Sequence, residues 1–525
     1  MSNWLRAERW HWISLCGFMT CVGFYFIVRY AGLWAENDST TFSNAIQVVE
    51  RTGRLIPAEG TIYPNGFAFQ SISVFLLALT GTDVARLQQL VYPLIAGIVV
   101  PPAWILFREL LGSRQGATLS TLLLFTQPEF LFVILRSSHE KFSRMFTLLC
   151  LYCIARSLLR SEPPSARVIY IPLFYLIAFA LIATNNLLAH SFIAALACAL
   201  ALGWLLQRRL RDRQMHDQMA QQRLSYAVFT SLCLVYVVMF YVYPPALHDL
   251  RILYGLGQHV AALLLDFQTA NGAETTNAYA QVAIGWTSLP TYFLVSIANW
   301  IILAASLAIW TRLGLRWLVF RTESPAPGLW LLWLLYAAFL LQGALSVVAD
   351  ASGVLIGNLQ HRLFPSFSLV AVALVGSVLA QQQARWRTAH LRAALSLSLF
   401  CIAILSVFKA TNEPLLSNKW TFYQADELTA LDWIEAHHRH SEIWTEFDER
   451  LVVAYYTARG SSPNNNMLVV DQLRPATRSI LVSDITALRS RQLGRVLPVP
   501  PDALRVYDNG SAQLYRLRPQ TPFQP

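Results

Sequence analysis

Charge is what this sequence has little of. Only 13% of its 525 residues are charged, about half the share of an ordinary soluble domain. With 55% hydrophobic residues and a mean hydropathy of +0.43, the chain cannot cover a compact globule with polar side chains. Lysine is nearly absent: of 40 basic residues only Lys141, Lys409 and Lys419 are lysine. The polar stretches hold no cysteine, because Cys16, Cys21, Cys150, Cys153, Cys198, Cys233 and Cys401 all lie in apolar runs. No disulfide framework is therefore expected there, and Cys150 and Cys153 read as small packing residues on a helix. The chain has no internal repeat and no low-complexity tract.

These shortages exclude disordered and collagen-like chains. The net charge of +10 comes from arginines clustered between apolar runs. That pattern orients membrane helices and is not the basic stripe of a nucleic-acid binder, so no nucleic acid is expected as a partner. The apolar runs last about 20 residues instead of alternating over about 10, which excludes a β-barrel. The fold class is an α-helical polytopic membrane protein, with the lipid bilayer as its first partner.

What is present can be laid across that bilayer. The apolar run from His11 to Trp34 is longer than a signal-peptide core and lacks a small-residue cleavage site, so it reads as an uncleaved first span. Further spans are expected near 84–107, 117–135, 142–159, 168–185, 187–206, 224–243, 289–310, 328–348, 363–380 and 393–410. That makes about eleven, each long enough at about 1.5 Å per residue to cross the hydrocarbon core. With the N-terminus in the cytoplasm, five inner loops collect the arginines: Arg108 and Arg114, Arg156 to Arg167, Arg208 to Arg213, Arg312 to Arg321, and Arg385 to Arg392. The apolar segment 67–79 is short for a crossing, and counting it would invert every later loop, so it reads as a re-entrant or interfacial helix.

Three outer features result. A loop over 34–88 contains an amphipathic stretch with Phe42, Ala45, Ile46 and Val49 at helical spacing, stopped by Gly53. A second long loop covers 243–290. The tail 411–525 has the composition of a small extracytoplasmic α/β domain beside a membrane module of 1–410. In it, 426–437 is spaced as a helix. Segments 442–445, 467–470 and 479–482 read as strands, and 504–517 reads as a hairpin around Asp508-Asn509-Gly510.

No charged residue falls at the middle of a predicted span, which disfavours an ion-coupled transporter or channel. The acidic groups gather at the outer boundary instead: Glu36, Asp38, Glu129, Glu140 and Asp350. Arg136, His139, Lys141, Arg144, His361 and Arg362 lie at the same level. Both signs of charge at one interface suit a substrate that is half lipid and half polar. A sugar on a polyprenyl phosphate is such a molecule. Its phosphate leaves as a stable anion that an arginine or a metal ion can stabilise, and the acceptor hydroxyl needs a carboxylate base.

Several short motifs point the same way. Trp34-Ala35-Glu36-Asn37-Asp38-Ser39 resembles the acidic motif after the first span of GT-C glycosyltransferases. Gly53-Arg54-Leu55, Ile62-Tyr63-Pro64-Asn65-Gly66-Phe67 and Leu79-Thr80-Gly81 resemble that superfamily's first outer loop. Pro128 with Ser138-His139-Glu140 resembles the loop bearing its second acidic residue, and His361-Arg362-Leu363-Phe364-Pro365 resembles the start of a late span. Ala430-Leu431-Asp432-Trp433-Ile434 and Val506-Tyr507-Asp508-Asn509-Gly510 resemble the outer domain of prokaryotic members. The resemblance implies inverting transfer of a sugar from a polyprenyl-phosphate donor to an extracytoplasmic acceptor (protein, glycan or lipid) at a prokaryotic plasma membrane. It implies Asp38 as the base, Glu36 and Glu140 as its partners, and Arg362 as a phosphate contact. Two departures stand out. Phe42 occupies the position, four after the aspartate, where many related prokaryotic sequences carry histidine. A D-x-D in the second outer loop and a W-W-D-x-G in the tail are absent, which argues against whole-oligosaccharide transfer to asparagine.

Arg136, His139, His361 and Tyr63 complete the candidate substrate-binding set. Each candidate has a plainer alternative. Asp38 could only cap the amphipathic helix, and Glu36 could be a solvated interfacial acid. Glu140 could only pair with Arg136, Lys141 or Arg144. Arg362 could anchor its span by snorkelling, Tyr63 could belong to the aromatic belt, and His190 reads as a packing histidine. No cofactor is demanded, but a divalent cation (Mg or Mn) at Glu36 and Asp38 is left open. Rival functions are an oligosaccharide or polysaccharide ligase and a non-enzymatic transporter of lipid-linked glycans.

Overall fold

A computed structural model describes residues 2–34, 37–55, 66–159, 169–207, 288–320, 325–351, 359–385, 389–412, 423–439, 441–445, 467–469, 477–492 and 499–518, with scattered positions at 229–261, 451–455 and 496–497. Helix α1 spans Ser2–Arg29, α2 Asn37–Thr52 and α3 Ala68–Thr80. A continuous column, α4, runs Val84–Leu111. It tightens and loosens around Pro93, with a π turn at Leu87–Val91 and a 3-10 turn at Ile95–Val99, because proline has no N–H for the ladder. There follow α5 (Arg114–Phe125), α6 (Pro128–Leu135), α7 (Glu140–Leu159), α8 (Tyr170–Thr184) and α9 (Asn186–Gln207). Later come α10 (Leu289–Val295), α11 (Ile297–Val319), α12 (Pro327–Ala351), α13 (Leu359–Arg385) and α14 (Ala389–Thr411).

Among the described residues six helices are long and apolar enough to cross a membrane, within α1, α4, α9, α11, α12 and α13. The protein is a multi-pass helical membrane protein. The expected span 117–135 is not one straight helix. It is the α5–α6 pair, bent by 74°. Thr126 and Gln127 turn their side chains back onto the Leu123 carbonyl at 2.9 and 3.2 Å. Pro128 then opens α6 where an N–H would have no partner. The expected spans at 168–185 and 393–410 correspond to shorter apolar helices, and most of 224–243 lies outside the described residues. The 142–159 segment is helical as α7, with Cys150 and Cys153 buried as packing residues.

Packing follows the apolar faces. In α2 the predicted stripe is buried: Phe42, Ala45, Ile46 and Val49 all face the interior, and Gly53 ends the helix at φ 63°. A helix pair is clasped where Trp310 and Trp333 stack at 5.0 Å and exchange indole N–H bonds to each other's carbonyls at 3.0 and 2.9 Å.

The tail elements match the sequence reading closely. Helix α15 (Ala425–His437) opens with a capping box from Gln424 and Glu427. Strands β1 (Glu442–Trp444), β2 (Met467–Val469), β3 (Thr477–Ser483), β4 (Leu504–Asp508) and β5 (Ala512–Arg516) form one sheet in the order β2-β1-β3-β5-β4. The first three are parallel, and the hairpin adds antiparallel to β3. Helix α16 (Asp484–Gln492), absent from the sequence reading, follows β3.

Candidate active site

Three described surfaces meet at one end of the helices: the start of α7, the break between α8 and α9, and the segment 66–69 with α2. The turn before α7 is held from inside. The Lys141 ammonium donates to the carbonyls of Arg136 and Ser138 at 2.8 and 3.3 Å and lies 5.0 Å from the Tyr92 ring. Ser137 donates to the Gln88 carbonyl, so the turn is also tied to α4.

Glu140 opens α7 with its carboxylate 3.2 Å from Arg144 and 3.8 Å from Arg136. The pairing proposed as its plainer role is therefore present. Arg144 is 0% exposed. Its guanidinium also donates to the Arg362 carbonyl at 3.1 Å and to the Ser366 hydroxyl. The α7 start is thus fastened to the first turns of α13. The Arg362 side chain is exposed there. Asp350 accepts the backbone N–H groups of Leu359 and Gln360 at 3.0 and 2.8 Å, so it caps α13 from the end of α12.

His139 is buried. Its Nε2 lies 2.6 Å from Asn185 Nδ2, and the Phe42 and Phe69 rings meet it edge-on at 4.9 and 6.4 Å. His139 thus abuts the phenyl ring of Phe42 on α2. Gly66 adopts φ 145°, and a Cβ on it would stand 2.3 Å from the Ala183 carbonyl oxygen, so the chain at Gly66 rests backbone to backbone on the end of α8.

Asp38 lies in the first turn of α2, one turn ahead of Phe42. The side chains of Asp38 and His361, and all of Glu36 and Tyr63, lie outside the described residues. Glu140, Arg136 and His139 are brought together. Arg362 joins them through its backbone carbonyl, and its exposed side chain is near enough for its charge to act on Glu140. Among the described residues no group of three or more His, Cys, Asp or Glu is placed to hold a metal ion.

Two members of this region escaped the sequence reading. Lys409, near the end of α14, forms a buried ion pair with Glu129 of α6 and lies 5.1 Å from the Tyr292 ring. Asn185 is the single residue between α8 and α9. The signal for it was the pair Asn185-Asn186 interrupting a long uncharged run. His190 is a satisfied packing histidine, bonded to the Asn186 carbonyl at 2.6 Å and to the Tyr236 hydroxyl.

No protein-family model and no curated protein matches the sequence. Solved structures do match the fold. The Archaeoglobus fulgidus oligosaccharyltransferase tethered with an acceptor peptide aligns at a TM-score of 0.55 and 10% identity, over 94% of this chain and 72% of that one. ArnT from Cupriavidus metallidurans bound to undecaprenyl phosphate aligns at 0.54 and 12% identity, over 96% and 98% of the two chains. At such identities the likeness is one of fold.

Proposed function

We propose that this chain is a membrane glycosyltransferase that moves a sugar from a polyprenyl-phosphate donor to an extracytoplasmic acceptor with inversion at the anomeric carbon. The observation that carries the reading is an end-to-end fold likeness to a protein solved with undecaprenyl phosphate, spanning 96% of this chain. The oligosaccharyltransferase of Archaeoglobus fulgidus, solved also with an inhibitory peptide and a dolichol-phosphate, supports the same donor class. The buried Glu140–Arg144 pair follows His139, which packs on Phe42 one turn after Asp38, and this supports a polar site near the start of α2.

In this reading Asp38 takes the proton of the acceptor hydroxyl as the new C1–O bond forms. The old C1–O bond breaks, its electron pair leaves with the polyprenyl phosphate, and Arg362 meets the phosphate charge. Glu36 sits beside Asp38 in sequence, and its negative charge would favour the oxocarbenium-like transition state. Glu140 holds Arg136 and Arg144 in place. A divalent cation at Glu36 and Asp38, if bound, would supply charge stabilisation to the leaving phosphate. The tail 411–525 is the candidate cover of the acceptor side.

The test is a screen of purified protein against a panel of polyprenyl-phosphate sugars, each with and without chelator. Release of free polyprenyl phosphate coupled to glycosylated product is the expected result. Binding of donor without any bond cleavage across the panel would favour a lipid-linked-glycan transporter instead.

A further inference from the structure

Asn185 uses its one side-chain amide twice. The Oδ1 accepts the Leu188 N–H at 3.1 Å and so caps α9, while Nδ2 lies 2.6 Å from His139 Nε2. The first bond settles which end of the amide is which: an oxygen must face the Leu188 N–H, so the NH2 group faces the imidazole. An NH2 group can only donate, and His139 Nε2 must therefore present its lone pair. The hydrogen-bond network thus assigns the ring proton of a neutral His139 to Nδ1.

The ring fixed in this way is a seat for other elements. Phe42 packs edge-on against it at 4.9 Å, and Phe42 stands one helical turn after Asp38 on α2. Phe69 touches both, at 5.0 Å from Phe42 and 6.4 Å from His139. The Gly66 backbone rests on Ala183, two residues before Asn185. Asn185 and His139 are each no more than 4% exposed, so water does not compete for the amide.

We infer that Asn185 is a positioning residue for sugar transfer: it locks the tautomer and orientation of His139, the ring on which α2 seats, and so sets where the helix bearing Asp38 stands. The inference rests on the glycosyltransferase reading for its catalytic consequence, but not for its structural one.

Asn185→Asp separates the parts. A carboxylate oxygen still accepts the Leu188 N–H, so the α9 cap survives, but the second oxygen now faces Nε2 and demands a proton on it. The experiment uses 15N-histidine-labelled full-length protein in nanodiscs, with the His139 resonances identified by their loss in His139→Gln. The wild type is expected to show a protonated Nδ1 and an unprotonated Nε2, and Asn185→Asp a protonated Nε2. Amide exchange across α2 should quicken at least about tenfold in the variant, and kcat should fall about tenfold or more, with donor KM changing much less. A protonated Nε2 in the wild type overturns the tautomer assignment. A switched tautomer with unchanged α2 exchange overturns the positioning role. Should no donor be turned over by the wild type, the glycosyltransferase reading fails, while the resonances and the exchange still decide the positioning claim.

Discussion

The guanidinium of Arg144 donates to the main-chain carbonyl of Arg362, 3.1 Å away across 218 positions of sequence. One arginine is fully sequestered and works as a fastener, while the other keeps its backbone fixed and its side chain outward. The two should therefore fail differently. Arg144→Lys keeps the charge but cannot reach Glu140, Ser366 and the Arg362 carbonyl together. It should lower stability by about 1–3 kcal/mol, read by thermal unfolding in detergent. Arg362→Ala should leave the unfolding midpoint nearly unchanged and raise donor KM about tenfold. The reverse pattern would contradict this assignment of roles.

Asp38→Asn keeps the shape of the side chain and removes the base. Sugar transfer should drop by at least about a hundredfold, with expression and membrane insertion intact. Transfer at wild-type rate by this variant would remove Asp38 from the reaction.

The Glu129–Lys409 pair links α6 to the end of α14 inside the protein. Lys409→Met leaves a buried carboxylate without its cation, and should cost about 3–5 kcal/mol. The double variant Glu129→Gln with Lys409→Met should recover most of that loss, because neither ion is then desolvated. Thermal unfolding of the single and double variants checks both statements, and a double variant no better than the single would refute them.

Gly66→Ala faces two obstacles at once, a φ of 145° and a Cβ that would meet the Ala183 carbonyl. It should cost about 1–3 kcal/mol and detach the segment 66–69 from the end of α8. Limited proteolysis within the first outer loop should then speed up, while Gly17→Ala, where nothing stands within 4 Å, should behave as wild type.

Much of the fold was legible because the bilayer and the tail impose simple periodicities. Long uncharged runs marked the spans in α1, α4, α9, α11, α12 and α13, and Asp508-Asn509-Gly510 marked the hairpin that the structure closes. The break at Thr126 and Gln127 was hidden because both residues sit in a run whose average hydropathy still fits one crossing. At the site, the Glu140–Arg144 pair was readable as an i, i+4 relation, whereas Lys409 with Glu129 joins residues 280 apart. Pairing at that distance leaves no local trace. The role of Asn185 was equally silent, since it depends on a hydrogen-bond partner in α9 and another before α7.

Trp34, immediately ahead of the acidic stretch, packs its ring edge-on against Tyr423 at 6.3 Å, and Tyr423 leads into α15. The tail is thereby moored to the very strand of chain that delivers Asp38. Replacing the tail would disturb that mooring unless an aromatic ring is retained at 423. A chimera built with the ring kept should leave the approach to α2 as it is, whereas one built without it should slacken it.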